Sequence, residues 1–116
     1  MDKGIQELLE SKGFDVSGAL HRFMNNEMLY IKCLKKFLDD DSFEQLKLAY
    51  ESGNCNEAFK MAHTLKGLVS NLGINGIYEL LVPVVEKLRM QNLDIGEELN
   101  RLEQLYKEAY DAIEYI

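Results

Sequence analysis

The sequence predicts an all-α fold, an antiparallel four-helix bundle with additional short N-terminal helices, formed by residues 1–116 as one domain. Three observations lead to this prediction. Apolar residues recur at intervals of three and four through most of the chain, as on the buried face of a helix. The chain has one proline and no segment with the alternating pattern of a strand. Short turns rich in Gly, Asn and Asp separate the periodic segments, which favours antiparallel neighbours.

Composition and charge narrow the class of protein. The chain has 116 residues, 47% of them hydrophobic and 28% charged, which is enough for one core and typical of a soluble globular domain. Its formal net charge of -7 argues against nucleic acid as a partner. We find no apolar segment of membrane length and no signal-peptide pattern, so we expect a cytoplasmic protein with no membrane partner. Cys33 and Cys55 lack metal-type spacing and are expected to be free thiols.

Start and stop signals place the first three helices. We expect short helices over about 2–10 and about 16–24, the second with Asp15 as its N-cap. Either Asn25 or Asn26 is expected to cap a third helix that ends near residue 38.

Two alternative capping boxes mark the start of a fourth helix. Ser42 is followed by Gln45, and Asp41 by Glu44, each at the spacing that lets the two side chains cap one turn. Gly53 is suited to end this helix. We interpret the aspartates at 39–41 as a solvated loop that supplies an N-cap, in preference to a cation site.

The most informative stretch is the predicted helix between Asn54, its expected N-cap, and Gly73, its expected C-terminal end. Its apolar stripe consists of Ala58, Met61, Ala62, Leu65, Leu68, Val69 and Leu72. With Ala58 at zero and about 100° per residue, His63 falls at about 140° and Gly67 at about 180°. We therefore expect His63 to face solvent, with bare backbone one turn further on. Phe59, Lys60, Lys66, Ser70 and Asn71 are expected to border this face.

Two longer helices complete the chain. The first is expected over about 76–91, and the second over about 95–115, opened by Asp94 with Glu97 three residues later. Pro83 lies inside the first pattern. Because proline removes a backbone donor and clashes with the carbonyl four residues earlier, we expect a kink or a break into two pieces.

The central motif resembles that of a known family. Ala-His-Thr-Leu-Lys-Gly at 62–67, followed by Asn-Leu-Gly at 71–73, is similar to the signature of histidine-containing phosphotransfer (HPt) domains in bacterial two-component phosphorelays. The segments 13–16 and 19–23, with Tyr30 and Phe37, resemble the N-terminal helices of stand-alone members, so the similarity covers essentially the whole chain. Val69 departs from the alanine or serine of many members, at a position on the core side.

The resemblance implies a function and a role for each motif residue. HPt domains are four-helix bundles whose exposed histidine carries a phosphoryl group between receiver aspartates, or from a hybrid kinase to a regulator. It implies that His63 is the phosphoacceptor, Lys66 the motif lysine and Gly67 the small residue beside the ring. Phe59, Lys60, Ser70 and Asn71 would then form the docking face.

The expected partners follow from the same resemblance. They are response regulator receiver domains, hybrid sensor histidine kinases, or both, with the chain itself a monomer. We expect no kinase or ATP-binding activity and no cofactor or metal bound to this chain. Mg²⁺ is expected on the partner receiver domain, because no acidic cluster is placed near His63 to hold it.

Two other functions remain as alternatives. The chain could be a helical docking module for a response regulator, without phosphorylation of His63. It could also be an enzyme with His63 as general base, but no carboxylate partner or nucleophile lies at a helical offset that would orient or use the ring. The second histidine, His21, is interpreted as an ordinary surface residue.

Overall fold

The computed structural model describes residues 1–116 and shows an all-helical protein, as predicted. It contains seven α-helices: α1 (Lys3–Ser11), α2 (Val16–Arg22), α3 (Glu27–Phe37), α4 (Ser42–Glu51), α5 (Cys55–Leu72), α6 (Asn75–Arg89) and α7 (Gly96–Tyr115). No strand forms. None of these helices combines the length and the apolar character that crossing a membrane requires. Cys33 and Cys55 are both free thiols, as expected.

Three predicted N-caps are confirmed. The side chains of Asp15, Asn26 and Asn54 each accept a hydrogen bond from the backbone N–H three residues further on, at 3.0, 3.1 and 3.0 Å. Asn26 is therefore the cap of α3, whereas Asn25 lies before it in the left-handed region with φ of 60°. These bonds satisfy N–H groups that a helix start otherwise leaves without partners.

The start of α4 agrees with the second predicted register in position but not in hydrogen bonding. Ser42 is the first helical residue and Asp41 occupies the N-cap position, but the side chain of Asp41 makes no capping hydrogen bond. The carboxylate of Asp40 instead accepts bonds from the backbone N–H and the hydroxyl of Ser42, at 3.0 and 3.2 Å. The reason is burial: Ser42 lies in the protein interior, where its hydroxyl needs a partner that the chain provides from the preceding loop.

Of the two outcomes predicted at Pro83, the break is wrong, because α6 continues without interruption from Asn75 to Arg89, and the kink stays a prediction. Pro83 itself is exposed, while Leu81, Val84 and Val85 on the opposite side are buried. Burial of apolar side chains before and after the proline stabilises the helix, although one backbone hydrogen bond is missing. Tertiary packing here outweighs the local cost of proline.

The start of α7 also differs from its predicted cap. The helix begins at Gly96, and Ile95 occupies the N-cap position without a side-chain bond. The backbone N–H of Asp94 donates to Asn92 at 2.9 Å, so this residue belongs to the preceding turn. The buried side of α7 is as expected: Leu99, Leu102, Tyr106, Ala109 and Ile113 all lie in the core.

The core lies mainly among four helices, α4 to α7. Helix α5 packs against both α4 and α6, and α6 packs against α7. Helix α4 meets α7 through the stacked rings of Phe43 and Tyr106, whose centroids are 4.6 Å apart. Helix α3 adds to this core, and its Lys35 ammonium donates to the carbonyl of Ile113 at 2.8 Å. Because α5 has neighbours on both flanks, only one of its faces remains open to solvent.

Candidate functional site around His63

The buried stripe of α5 orients the site as the sequence predicted. Ala58, Ala62, Leu65, Val69 and Leu72 are buried, and Met61 and Leu68 are partly buried. His63 lies on the opposite face, in the middle of the helix, and is exposed. A ring in this position is accessible to another macromolecule.

Gly67 leaves open space one turn beyond His63. A Cβ atom added at Gly67 would have no heavy atom of another group within 4 Å, so the glycine does not serve close packing. Glycine in a helix costs about 1 kcal/mol relative to alanine. Its presence here keeps the surface beside the imidazole at the level of the backbone.

A shallow depression connects these two residues with three others. Its volume is about 200 Å³, and it is lined by His63, Lys66, Gly67, Ser70 and Tyr78. Four of the five are site residues expected from the sequence. Tyr78 was not expected, because it belongs to α6 and reaches the site only through the packing of α6 against α5. The sequence feature that could have indicated Tyr78 is its position next to Ile77, at the edge of the apolar face of α6.

The two lysines that flank His63 differ in burial, but neither amine has an ion-pair partner. Lys66 is partly buried in the wall of the depression, whereas Lys60 is exposed outside it. Neither amine takes part in any of the six ion pairs of the protein. No carboxylate lines the depression, so the charge next to His63 is positive in a protein whose overall charge is negative.

Phe59 makes the closest defined contact with the imidazole. The two rings are nearly parallel, with an interplanar angle of 13° and centroids 5.8 Å apart. Phe59 is half-buried, so it borders the site as expected but exposes only part of its ring. Arg89, which sequence reasoning missed, places its guanidinium 5.1 Å from the centroid of Phe59.

Asn71 does not line the depression at His63, and neither do Phe59 and Lys60. The side chain of Asn71 lines a separate groove of about 470 Å³ toward α3, together with Cys33, Lys36 and Leu68. Asn71 is exposed, so its place on the wider docking face stays a prediction.

The C-terminal end of α5 is held by contacts that the sequence did not reveal. Arg22 donates to the carbonyls of Ser70 and Asn71 at 2.8 and 3.2 Å, and the buried hydroxyl of Tyr30 donates to the carbonyl of Leu72 at 2.9 Å. These bonds satisfy carbonyl groups that a helix end leaves without partners. They also fix the position of the helix that carries His63.

No group of three or more His, Cys, Asp or Glu side chains is clustered anywhere in the chain. The groups present at the site are an exposed imidazole, two amines without ion-pair partners and open backbone. Comparisons with models of protein families, with curated proteins and with solved structures found no match to this chain.

Proposed function

We propose that this chain is a phosphorelay intermediate of the HPt type. His63 accepts a phosphoryl group from a receiver aspartate or a hybrid kinase and passes it to another receiver aspartate, in the cytoplasm and as a monomer. The observation that carries the proposal is the exposure of His63 beside the open backbone of Gly67 and the unpaired amine of Lys66. The motif resemblance supports the same conclusion.

The transfer step has two reacting groups, the imidazole of His63 and an aspartyl phosphate. A lone pair on one nitrogen of the uncharged imidazole attacks the phosphorus of an aspartyl phosphate, and an N–P bond forms. The P–O bond to the aspartate breaks, and its electron pair stays on the carboxylate. The proton on the other ring nitrogen stays in place, so no base is needed. The N–P bond is labile, which allows transfer to the next aspartate.

The amines near His63 offset the charge that arrives. A phosphoryl group brings about two negative charges at neutral pH, and Lys66 lies one turn along the helix from the ring. Lys60 lies on the other side, also without an ion-pair partner. Phosphoryl transfer depends mainly on positioning and charge neutralisation, and in this proposal the partner receiver supplies Mg²⁺.

The packing of α4 to α7 supports the bundle that such a function requires. We propose that these four helices form the antiparallel four-helix bundle, with α1 to α3 as the N-terminal addition. Short connections of three residues between α4 and α5, and of two between α5 and α6, favour antiparallel neighbours. The bundle then acts as a rigid support that presents His63 on an outer face.

A role as a passive carrier fits the surroundings of His63 better than a role as general base. A catalytic histidine is usually oriented by a hydrogen bond from a third group. The contact that orients His63 is a ring stack on Phe59, which leaves both nitrogens free for a partner.

The test uses phosphoramidate, a small phosphodonor, and a panel of phosphorylated receiver domains. We expect the wild-type protein to acquire one phosphoryl group, stable in alkali and labile in acid. His63→Gln should remain folded and acquire none, whereas the matched control His21→Gln, at the other exposed histidine, should behave as wild type.

Two results would contradict the proposal. Phosphate mapped to His21, or retained in His63→Gln, would show that the acceptor is wrong. Binding of a receiver without any phosphorylation by either donor would instead identify a docking module.

A further inference from the structure

The guanidinium of Arg89 lies over the ring of Phe59, and Phe59 in turn stacks on the imidazole of His63. We propose that Phe59 and Arg89 are positioning residues: Phe59 holds the imidazole of His63 in one plane, Arg89 holds Phe59, and together they set the rate at which His63 accepts a phosphoryl group. This inference rests on the proposed function of His63. It adds two residues whose effect passes through ring orientation and not through contact with phosphate.

The geometry of the first pair is that of an offset parallel stack. Phe59 and His63 are one helical turn apart, so their side chains are neighbours on the surface of α5. The planes are 13° apart and the centroids are separated by 5.8 Å, within the range of distances over which aromatic pairs interact. The nitrogens of His63 lie in the ring plane, so this contact determines the direction of their lone pairs.

His63 needs such a constraint because no hydrogen bond orients its ring. Its imidazole makes no hydrogen bond within the protein, since none of the side-chain bonds involves it. The final torsion of a histidine side chain has broad minima, so an isolated ring would sample many orientations. In-line attack requires the lone pair to point at phosphorus, and small misplacements of reacting atoms reduce rates strongly.

Arg89 holds Phe59 from the adjacent helix. Its guanidinium carbon is 5.1 Å from the ring centroid, within the range of a cation–π contact. Glu86, one turn earlier in α6, contacts the guanidinium at 3.4 Å and limits its movement. A hydrogen bond of 3.3 Å from Gln91 to Asn56 joins the end of α6 to the first turn of α5. Arg89 thus contacts Glu86 of its own helix and Phe59 of the neighbouring one, at the end where α6 and α5 are joined.

The two roles open to Arg89 make different predictions in a double-mutant cycle. If Arg89 acts through Phe59, Arg89→Ala should slow transfer in the wild-type background and have no further effect in Phe59→Leu. If Arg89 contacts the phosphoryl group directly, its effect should persist in Phe59→Leu. Arg89→Lys keeps the charge but loses the planar group that stacks on a ring, and should recover only part of the rate.

The experiment measures the rate of phosphorylation by phosphoramidate, which removes any contribution from receiver docking. From the energies of aromatic pairs we expect Phe59→Leu to slow the reaction by about two- to tenfold, with a smaller loss in Arg89→Ala. Phe59→Tyr, which keeps the ring, should retain the rate. Arg101→Ala is the matched control, because Arg101 is an exposed arginine of α7 without an ion pair or aromatic contact.

A second readout follows the imidazole itself. In NMR spectra of the unphosphorylated protein, the ring protons of His63 should show a ring-current shift from Phe59. That shift should disappear in Phe59→Leu and decrease in Arg89→Ala, without change in Arg101→Ala. A role in stability alone would not move it.

Different results would overturn the proposed function and the positioning role of Phe59 and Arg89. Wild-type protein that accepts no phosphoryl group would overturn the proposed function and, with it, the effect on rate. Wild-type protein that is phosphorylated at His63, with Phe59→Leu and Arg89→Ala reacting equally fast and showing an unchanged ring-current shift, would overturn the positioning inference only.

Discussion

The backbone carbonyl of Asp15 lies 2.6 Å from the point that a Cβ atom would occupy on Gly73. Gly73 also has φ of 74°, and its own carbonyl accepts a hydrogen bond from the N–H of Asp15 at 2.7 Å. The end of α5 and the start of α2 therefore meet at a distance that only glycine permits. This contact fixes the helix that carries His63 against the N-terminal part of the chain.

Gly73→Ala should destabilise the protein more than Gly53→Ala. Both glycines have positive φ, of 74° and 72°, and alanine in that region costs about 1–2 kcal/mol. A Cβ at Gly53 would have open space, whereas one at Gly73 would collide with backbone and add about 1–3 kcal/mol of overpacking. Urea denaturation measures the difference. Equal losses at the two sites would show that α2 can move away from α5.

Removing the hydroxyl should destabilise the protein at Tyr30 but not at Tyr106. The Tyr30 hydroxyl donates to the carbonyl of Leu72, so Tyr30→Phe should cost about 1 kcal/mol of unfolding free energy. The Tyr106 hydroxyl is buried without a partner, so Tyr106→Phe should cost nothing or stabilise by about 1 kcal/mol. Denaturation of both variants at neutral pH tests this pair. A loss at Tyr106 equal to that at Tyr30 would contradict it.

The same buried hydroxyls predict loss of stability at alkaline pH. Burial raises the pKa of Tyr106 and of Tyr30 above the ordinary value of 10.0. Above about pH 10 the unfolded chain therefore releases protons that the folded protein keeps, so the free energy of unfolding is constant below that pH and falls above it.

Tyr106→Phe should make this alkaline loss less steep, by up to about 1.4 kcal/mol per pH unit. The measurement is the free energy of unfolding as a function of pH, from neutral to about pH 11. A slope in Tyr106→Phe identical to that of wild type would show that Tyr106 ionises in the folded protein.

Gly67→Gln should block transfer from a receiver while leaving the fold intact. Glutamine has a higher helix propensity than glycine by several tenths of a kcal/mol or more, and the space at Gly67 is open, so the melting temperature should not fall. The added side chain covers the approach to His63, and we expect transfer to slow by on the order of a hundredfold. Gly76→Gln is the control, since Gly76 is another helical glycine with open space, outside the depression at His63. A less stable variant with normal transfer would make Gly67 a packing residue.

Lys66→Ala should slow transfer without unfolding the protein. Its amine lines the depression and has no ion-pair partner, so its charge is available to the phosphoryl group, and charge-assisted hydrogen bonds of this kind are worth about a tenfold change in rate. Single-turnover kinetics with one fixed receiver provide the measurement, with Lys32→Ala, an exposed lysine of α3, as control. An unchanged rate would identify Lys66 as a solvated surface charge.

Much of the site could be predicted because its geometry is local to one helix. The period of the apolar stripe in α5 determines which side faces the core, so the exposure of His63 and Gly67 followed directly. The caps at Asn54 and Gly73 could also be predicted, because each depends on hydrogen bonds within four residues. The groove that Asn71 lines with residues of α3 could not be predicted, because a helical wheel gives the angles around one helix and says nothing about its neighbours.

By itself, the sequence determined the all-helical class, the bounds of α5 and the outward direction of His63, since periodicity and capping act over single turns. Tertiary structure alone decided that α6 continues through Pro83 and that Tyr78 and Arg89 reach the surroundings of His63. Each of these depends on groups brought together by packing between helices, where burial of apolar surface outweighs local preference. The position of Arg89 over Phe59, which joins α6 to the ring beside His63, is the clearest case, because the two residues are 30 positions apart in the chain.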